Sequence, residues 1–454
     1  MTAPPPVGIR TGARYRVVDE ARIVEMLVLL GWAIDARLGR LEAARRDAAE
    51  TLERWIGMGL ACKRSADGAR RFDPAEVSNF FRRAKDPFYA ERFVVQGRRL
   101  ALAFHRGATS AAAPPSPDTL PPERFTVTHT REFALARVAP GTPVLLRLPL
   151  PIEDETLRDL RFELVAPPDT DAALDAAPGR LDVRVAAPAT PTATLGVRTS
   201  FVSDPSGRSA ARAALSDADR ELYTRPVEGI VRLTPRIRAL SEELAAGERE
   251  PFAVVRRFMD FLIDRLTCGV VHYDELDPAA PLHWVLDTGW FDCQMGSALI
   301  VALCRARGIP ARLVAGNLII PAAAAGHFWL EIWPGGRGWV PIDSIVGDLS
   351  MHGRDRAWRD YYVGRLDYRM KTQVFPRVFN LSPSVRFPPV WHMVTRIDGD
   401  GAESATFDNA TGALVYRDRI VVQRGDELPG AFASPADARS SVSAPLRCTL
   451  SRRS

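Results

Sequence analysis

The stretch that decides the fold is residues 290–320, WFDCQMGSALIVALCRARGIPARLVAGNLII, followed by HFWLEIW at 327–333 and WVPIDS at 339–344. A turn carrying Asp292 and Cys293 leads into an apolar helix over about 293–307. Gly308 stops that helix and Pro310 prevents it restarting. ARLVAGNLII reads as a strand, PAAAAG as a small-residue loop, and HFWLEIW as a second strand opening on His327. The turn PGGRG then leads into a third strand that ends on Asp343.

A cysteine in the first turn of a buried helix meets unpaired N–H groups and the positive end of the helix dipole, which favour thiolate. The same N–H groups can hold an oxyanion. A histidine on an adjacent strand can take the thiol proton, and a carboxylate one hairpin further on can orient the imidazole. His327 and Asp343 are 16 residues apart, a spacing that one hairpin turning at Gly335-Gly336 can close. Cys304, three turns along the same helix, reads as core.

The order Cys–His–Asp, with DCQ and LCRARGIPARLVAG, then GHFWLEIW, then GWVPID, resembles the transglutaminase-like superfamily core. The resemblance covers about 235–350 and implies an α+β, papain-like fold in which a helix carrying Cys packs on an antiparallel sheet carrying His and Asp. It implies acyl-enzyme chemistry, with Cys293 as nucleophile, His327 as general base and acid, and Asp343 as the orienting carboxylate. Many members carry Gly before the nucleophile where this chain has Asp292. That carboxylate can cap the helix and can raise the thiol pKa by like-charge proximity. Tyr273 is a candidate oxyanion donor, and Trp290, Asp292 and Trp329 are candidates for the oxyanion site or cleft wall. Trp284, Trp290, Trp329 and Trp339 crowd the motifs and suggest a tunnel for an extended substrate. His272 reads as structural, and Asp348 is the carboxylate to consider should Asp343 prove inert.

Outward from this core the chain divides by composition. Residues 1–106 read as a small, mostly helical unit: 17–56 has helical apolar spacing, Asp73-Pro74 signals a further helix, and 93–104 suggests a hairpin around Gln96-Gly97. Residues 107–122, GATSAAAPPSPDTLPP, read as a linker, so the first unit should be removable without unfolding the rest. Short alternating runs make 123–230 a β-sandwich-like domain, similar to the domain that often precedes this core in bacterial members. The core itself spans 231–375, a C-terminal β extension 376–430, with a hairpin turning near Asn409, and a disordered tail 431–454.

The remaining numbers exclude other functions. No apolar run reaches the length of a membrane span, and the N-terminus lacks the apolar core of a secretory signal. The 5 cysteines include no C-x-x-C pair, so free thiols and a cytoplasmic location are expected. His283, His352 and His392 lack metal-ligand spacing, and no phosphate-binding loop occurs, so neither metal nor cofactor is expected. Net charge is +5, yet residues 1–108 hold 20 basic and 13 acidic side chains. No basic stripe interleaved with aromatics points to nucleic acid. Acyl transfer from an amide or thioester of a peptide-like substrate is the leading expectation, with water or an amine as acceptor. One alternative is an amide synthase taking an acyl group from a carrier-protein thioester, the basic first unit docking that acidic partner. Another is a binding module that has lost catalysis.

Overall fold

Every residue from Gln294 through Arg305 in the helix Cys293–Ala306 is buried in the computed structural model. The structure describes residues 18–32, 35–84, 86–88, 91–92, 120–135, 138–167, 170–205, 214–271, 273–319, 325–345, 356–377, 391–398, 401–407 and 416–425. A helix that is apolar all round must be covered all round. Helices Pro235–Ala245, Pro251–Arg265 and Pro281–Thr288 cover it on some sides, through Ile237, Val255, Phe258, Leu262 and Val285. Strands Ala311–Leu318 and Ala325–Ile332 supply Leu313, Leu330 and Ile332 to the same cluster. Cys304 is fully buried there, and burial pushes its thiol up. Arg305, the one charged residue buried in the helix, is held by Glu228 at 2.9 Å.

The sheet beside this helix is antiparallel, in the order Val340–Ile342, Ala325–Ile332, Ala311–Leu318, Arg369–Val374. Gly316 lies at a close approach of two strands: a Cβ there would stand 2.0 Å from the Met370 carbonyl oxygen. Leu330 and Ile332 face the helix, so Trp329 and Glu331 face the other way by the strand's two-residue alternation. On that far face Glu331 is shared by Arg312 at 2.5 Å and Lys371 at 2.6 Å, and Lys371 also reaches Asp154 at 2.5 Å. Asp154 belongs to the preceding β region, so this buried ion network fastens two parts of the chain. Burial alone would raise the Glu331 pKa, but Arg312 and Lys371 hold it down to about 2.

That β region has a six-stranded sheet, ordered Trp391–Asp398, Gly401–Phe407, Tyr416–Arg424, Glu123–Ala134, Thr192–Ser203, Leu157–Val165. A three-stranded sheet of Pro143–Pro149, Arg180–Ala186 and Ala173–Ala177 shares a core with it through Leu146, Leu148, Leu181, Phe133 and Val197. The C-terminal strands are therefore not a separate extension. Tyr416–Arg424 pairs with Glu123–Ala134 along its whole length, a contact between distant segments that local patterning cannot show. Leu120, at the end of the Pro/Ala-rich segment, is buried in the cluster joining this sheet to Ile319, Tyr368 and Met370. The connection near Asn409, the 93–104 hairpin, His272, Asp348, His352, Cys448 and the tail lie outside the described residues.

The first unit holds helices Glu20–Gly31, Leu41–Gly57 and Pro74–Ala84, with a small three-stranded sheet. The helical run expected over 17–56 is broken: Leu38 and Gly39 (φ 78°) leave helical geometry. Trp55, Phe81 and Phe88 interlock at its centre. The unit is not detached. The Asn79 amide donates to the Val270 carbonyl at 3.0 Å and accepts from the Val270 N–H at 2.7 Å, and Arg82 donates to the Cys268 carbonyl at 2.8 Å. These groups are satisfied across the interface, so a linker of suitable composition does not make the unit removable. Among the described residues no helix is long and apolar enough to cross a membrane.

Two expected outcomes follow from these contacts. Glu331→Ala leaves Arg312 and Lys371 buried without their shared carboxylate and should destabilise the fold by about 3–5 kcal/mol, measured by denaturant unfolding. Because the Glu331 pKa is depressed in the fold, its stabilisation is present above the ordinary carboxylate range and is lost as pH falls towards 2. Deleting residues 1–92 should expose the Asn79 partners and lower the melting temperature; an unchanged melting curve would show the interface to be dispensable.

Candidate active site

Cys293 is the first residue of its helix, and Asp292 is the N-cap: Asp292 Oδ1 accepts from the Met295 N–H at 2.9 Å. Strand Trp290–Phe291, held parallel against Thr267–Cys268, delivers the cap residue to this point. The cysteine is half-buried, and the backbone N–H of Phe328, the residue after His327, favours its thiolate. The electrostatics oppose the expectation of a thiolate at rest. Burial, then the Asp292 carboxylate, pushes the Cys293 thiol well above its ordinary value, while the Phe328 N–H pulls the other way. A helix N-terminus favours the anion, but here desolvation and a like charge outweigh it.

His327 and Asp343 meet where the hairpin predicts. His327 Nε2 lies 2.7 Å from Asp343 Oδ2, with both residues buried. The register that aligns them pairs Leu330 with Ile342 across the hairpin, and the turn uses Gly335 and Gly336 at positive φ. Sequence reading missed two partners of that carboxylate. Arg369 donates to the same Oδ2 at 2.5 Å, and the Ile345 N–H donates to Oδ1 at 3.0 Å. Arg369 is itself buried and anchored by Asp367 at 2.7 Å. Two acids thus hold one guanidinium, which raises its pKa against the desolvation that would lower it. No local signal marks Arg369, which stands on another strand 26 residues after Asp343.

The other candidates divide. The Tyr273 phenol donates to Asp292 Oδ2 at 2.8 Å and lies 3.0 Å from Gln294 Oε1. Burial and the charge on Asp292 raise its pKa well above that of a free phenol, so its one proton is committed to the cap carboxylate. Gln294, the Q of DCQ, was passed over as a site residue, yet it is buried in the helix's first turn beside this pair. Trp290 is nearly buried and carries the Arg83 guanidinium 5.2 Å from its ring centroid. Trp329, two residues after His327 on the same strand, shares its face of the sheet, and the two rings lie 6.4 Å apart at 20°. There it lines a cavity of about 810 Å³ with Trp339, Arg369 and Lys371, whose walls include none of Cys293, His327 and Asp343. Trp284 donates to Glu275, and Arg312 sits 4.0 Å over Trp339. The four tryptophans therefore do not line one tunnel: Trp329 and Trp339 stand in the wall of this cavity, Trp284 and Trp290 do not. Among the described residues no cluster of three or more metal-binding side chains occurs.

Residues 238–344 match the family described as the transglutaminase-like superfamily. That segment is a transglutaminase-like core. The core includes the Cys293 helix, the His327 strand and Asp343, which sits one residue before the end of the match. A protein-glutamine gamma-glutamyltransferase from Pseudomonas aeruginosa is 31 % identical over 24 % of this chain; the alignment spans 18 % of that relative's length. Among solved structures, a proposed cysteine protease from Cytophaga hutchinsonii is 12 % identical over 66 % of this chain and 98 % of its own, with a TM-score of 0.40. The periplasmic domain of TgpA from Pseudomonas aeruginosa is 18 % identical over 57 % of this chain and 95 % of its own, with a TM-score of 0.29.

Asp292→Asn tests the electrostatic account of the core. Asparagine keeps the helix cap but removes the charge that Cys293 and Tyr273 feel. The pH midpoint for alkylation of Cys293 by iodoacetamide should fall, with a rate several-fold above the parent at pH 8. An unchanged midpoint would mean that burial alone sets the thiol.

Proposed function

We propose that the chain is a cysteine-dependent acyltransferase or amidase that works through an acyl-Cys293 thioester. The observation that carries this reading is the buried His327–Asp343 pair, braced by Arg369, with the N–H of Phe328, the next residue, favouring the Cys293 thiolate. With Nε2 held by Asp343, Nδ1 is the nitrogen left to receive the thiol proton. The sulfur then attacks the acyl carbon of an amide or thioester. The imidazolium returns its proton to the departing amine or thiol, leaving acyl-Cys293. Water or an amine, deprotonated by the same nitrogen, breaks the thioester and restores the thiol.

The raised thiol pKa fits a proton that moves only when the imidazolium is stabilised, which is the task Asp343 performs in this scheme. A peptide-like donor is favoured by the transglutaminase-like core; the reaction in the matched relative's name, γ-glutamyl transfer from protein glutamine, is one form of it. Amide synthesis from a carrier-bound thioester remains the second reading, supported by the arginines that the first unit brings to Cys268 and Trp290. The four described cysteines are all unpaired, which suits a reducing compartment.

The test is a panel of peptide glutamine amides and acyl thioesters, each offered water or an amine. Cys293→Ala should abolish turnover, and mass spectrometry should find no acyl adduct. Cys304→Ala should keep most activity and lose stability only, because its thiol is sealed in the core. His327→Ala should match the Cys293 variant, and Asp343→Asn should lose orders of magnitude by favouring the wrong tautomer. Turnover surviving in Cys293→Ala would overturn the assignment.

A further inference from the structure

Helix Pro74–Ala84 belongs to the first unit, yet its side chains end at the strand that delivers the candidate nucleophile. Gly269 makes this approach possible. A Cβ at that position would stand 2.5 Å from the Trp290 ring and 2.6 Å from Asn79 Oδ1. Gly269 also donates to the Phe291 carbonyl at 2.7 Å, two residues before Cys293. Asn79 is buried and bonded at both ends of its amide, and the neighbouring Arg82 is tied to Cys268. The helix is thus fixed against the Thr267–Val271 and Trp290–Cys293 segments with little rotational freedom.

Arg83 is the next residue along that helix. Its guanidinium lies over the Trp290 ring at 5.2 Å, a favourable cation–π placement. It has no carboxylate partner among the described residues, and its Nε is buried without an acceptor. Arg70 and Arg54, elsewhere in the same unit, pair with Glu20, Glu53 and Asp86. The arginine aimed at the nucleophile strand is thus held in place by an aromatic ring yet has no counter-charge among the described residues. On this chain of contacts we propose that Arg83, seated on Trp290, forms an anion-binding subsite beside Cys293 and selects an acyl donor bearing a carboxylate or phosphate. The inference rests on Cys293 being the nucleophile and adds the charge of its substrate.

The reagent pair iodoacetate and iodoacetamide reads this subsite without a known substrate, since both alkylate thiolate and differ by one negative charge. The rate ratio at Cys293 is measured on the full chain by mass spectrometry of the Cys293 peptide. The subsite should raise the ratio, and Arg83→Gln should lower it by about threefold or more at low salt. Arg83→Lys, which retains the charge, should restore most of it, and high salt should bring parent and Gln variant together. Melting curves should match for all three, because the helix stays docked through Asn79 and Arg82. If both reagents modify Cys293 and Arg83→Gln leaves the ratio unchanged, the subsite is overturned while the nucleophile stands. If neither reagent modifies Cys293, the nucleophile assignment and the subsite fall together. A Gln variant that melts early is replaced by Arg83→Met, which keeps the apolar stem over Trp290; an unchanged ratio there also overturns the proposal.

Discussion

The architecture depends on enclosing one apolar helix while leaving its first residue, Cys293, partly exposed. A helix buried on every side cannot be solvated, so three helices and a sheet are recruited to cover it. Its N-terminus cannot be covered in the same way without burying unpaired N–H groups. Asp292 meets that need with a side-chain cap, and Tyr273 in turn satisfies the cap's second oxygen. The same solution charges the surroundings of Cys293. Packing therefore places the thiol, and capping sets the charge against which its proton must leave.

The sheet faces an analogous conflict on its far side, where Glu331, Lys371, Arg312 and Asp154 are neutralised among themselves. Arg369 stands on that same side, lining the cavity while it holds Asp343. A carboxylate bonded by an arginine, an imidazole and a backbone N–H has little freedom to turn. Asp343 thus gives the imidazole a fixed partner, and strand pairing alone would have positioned only its backbone.

Much of the core was legible because it is written in local rules. Gly308 and Pro310 end the helix, the glycines of PGGRG turn the hairpin, and a spacing of 16 residues sets His327 opposite Asp343. What sequence could not show depends on distant pairs. Arg369 reaches Asp343 from a strand with no motif of its own. Tyr416–Arg424 joins a sheet begun nearly three hundred residues earlier. Trp329 and Trp339 share the wall of one cavity while Trp284 and Trp290 stand elsewhere, a division that nearness to the motifs in sequence does not show. The first unit looked separable by composition, whereas a single asparagine bonding a backbone at both ends carries no compositional signal.

That asparagine also has a place in time. Asn79 and Val270 are 191 residues apart, so at about 5–20 residues per second a ribosome needs roughly 10–40 s between making the two. The partners of the aromatic centre, Trp55, Phe81 and Phe88, are all made before that interval opens or early within it, whereas the Asn79 amide has no backbone to bond until Val270 is made. Order of synthesis thus puts every residue of the first unit's centre ahead of the strand that leads to Cys293.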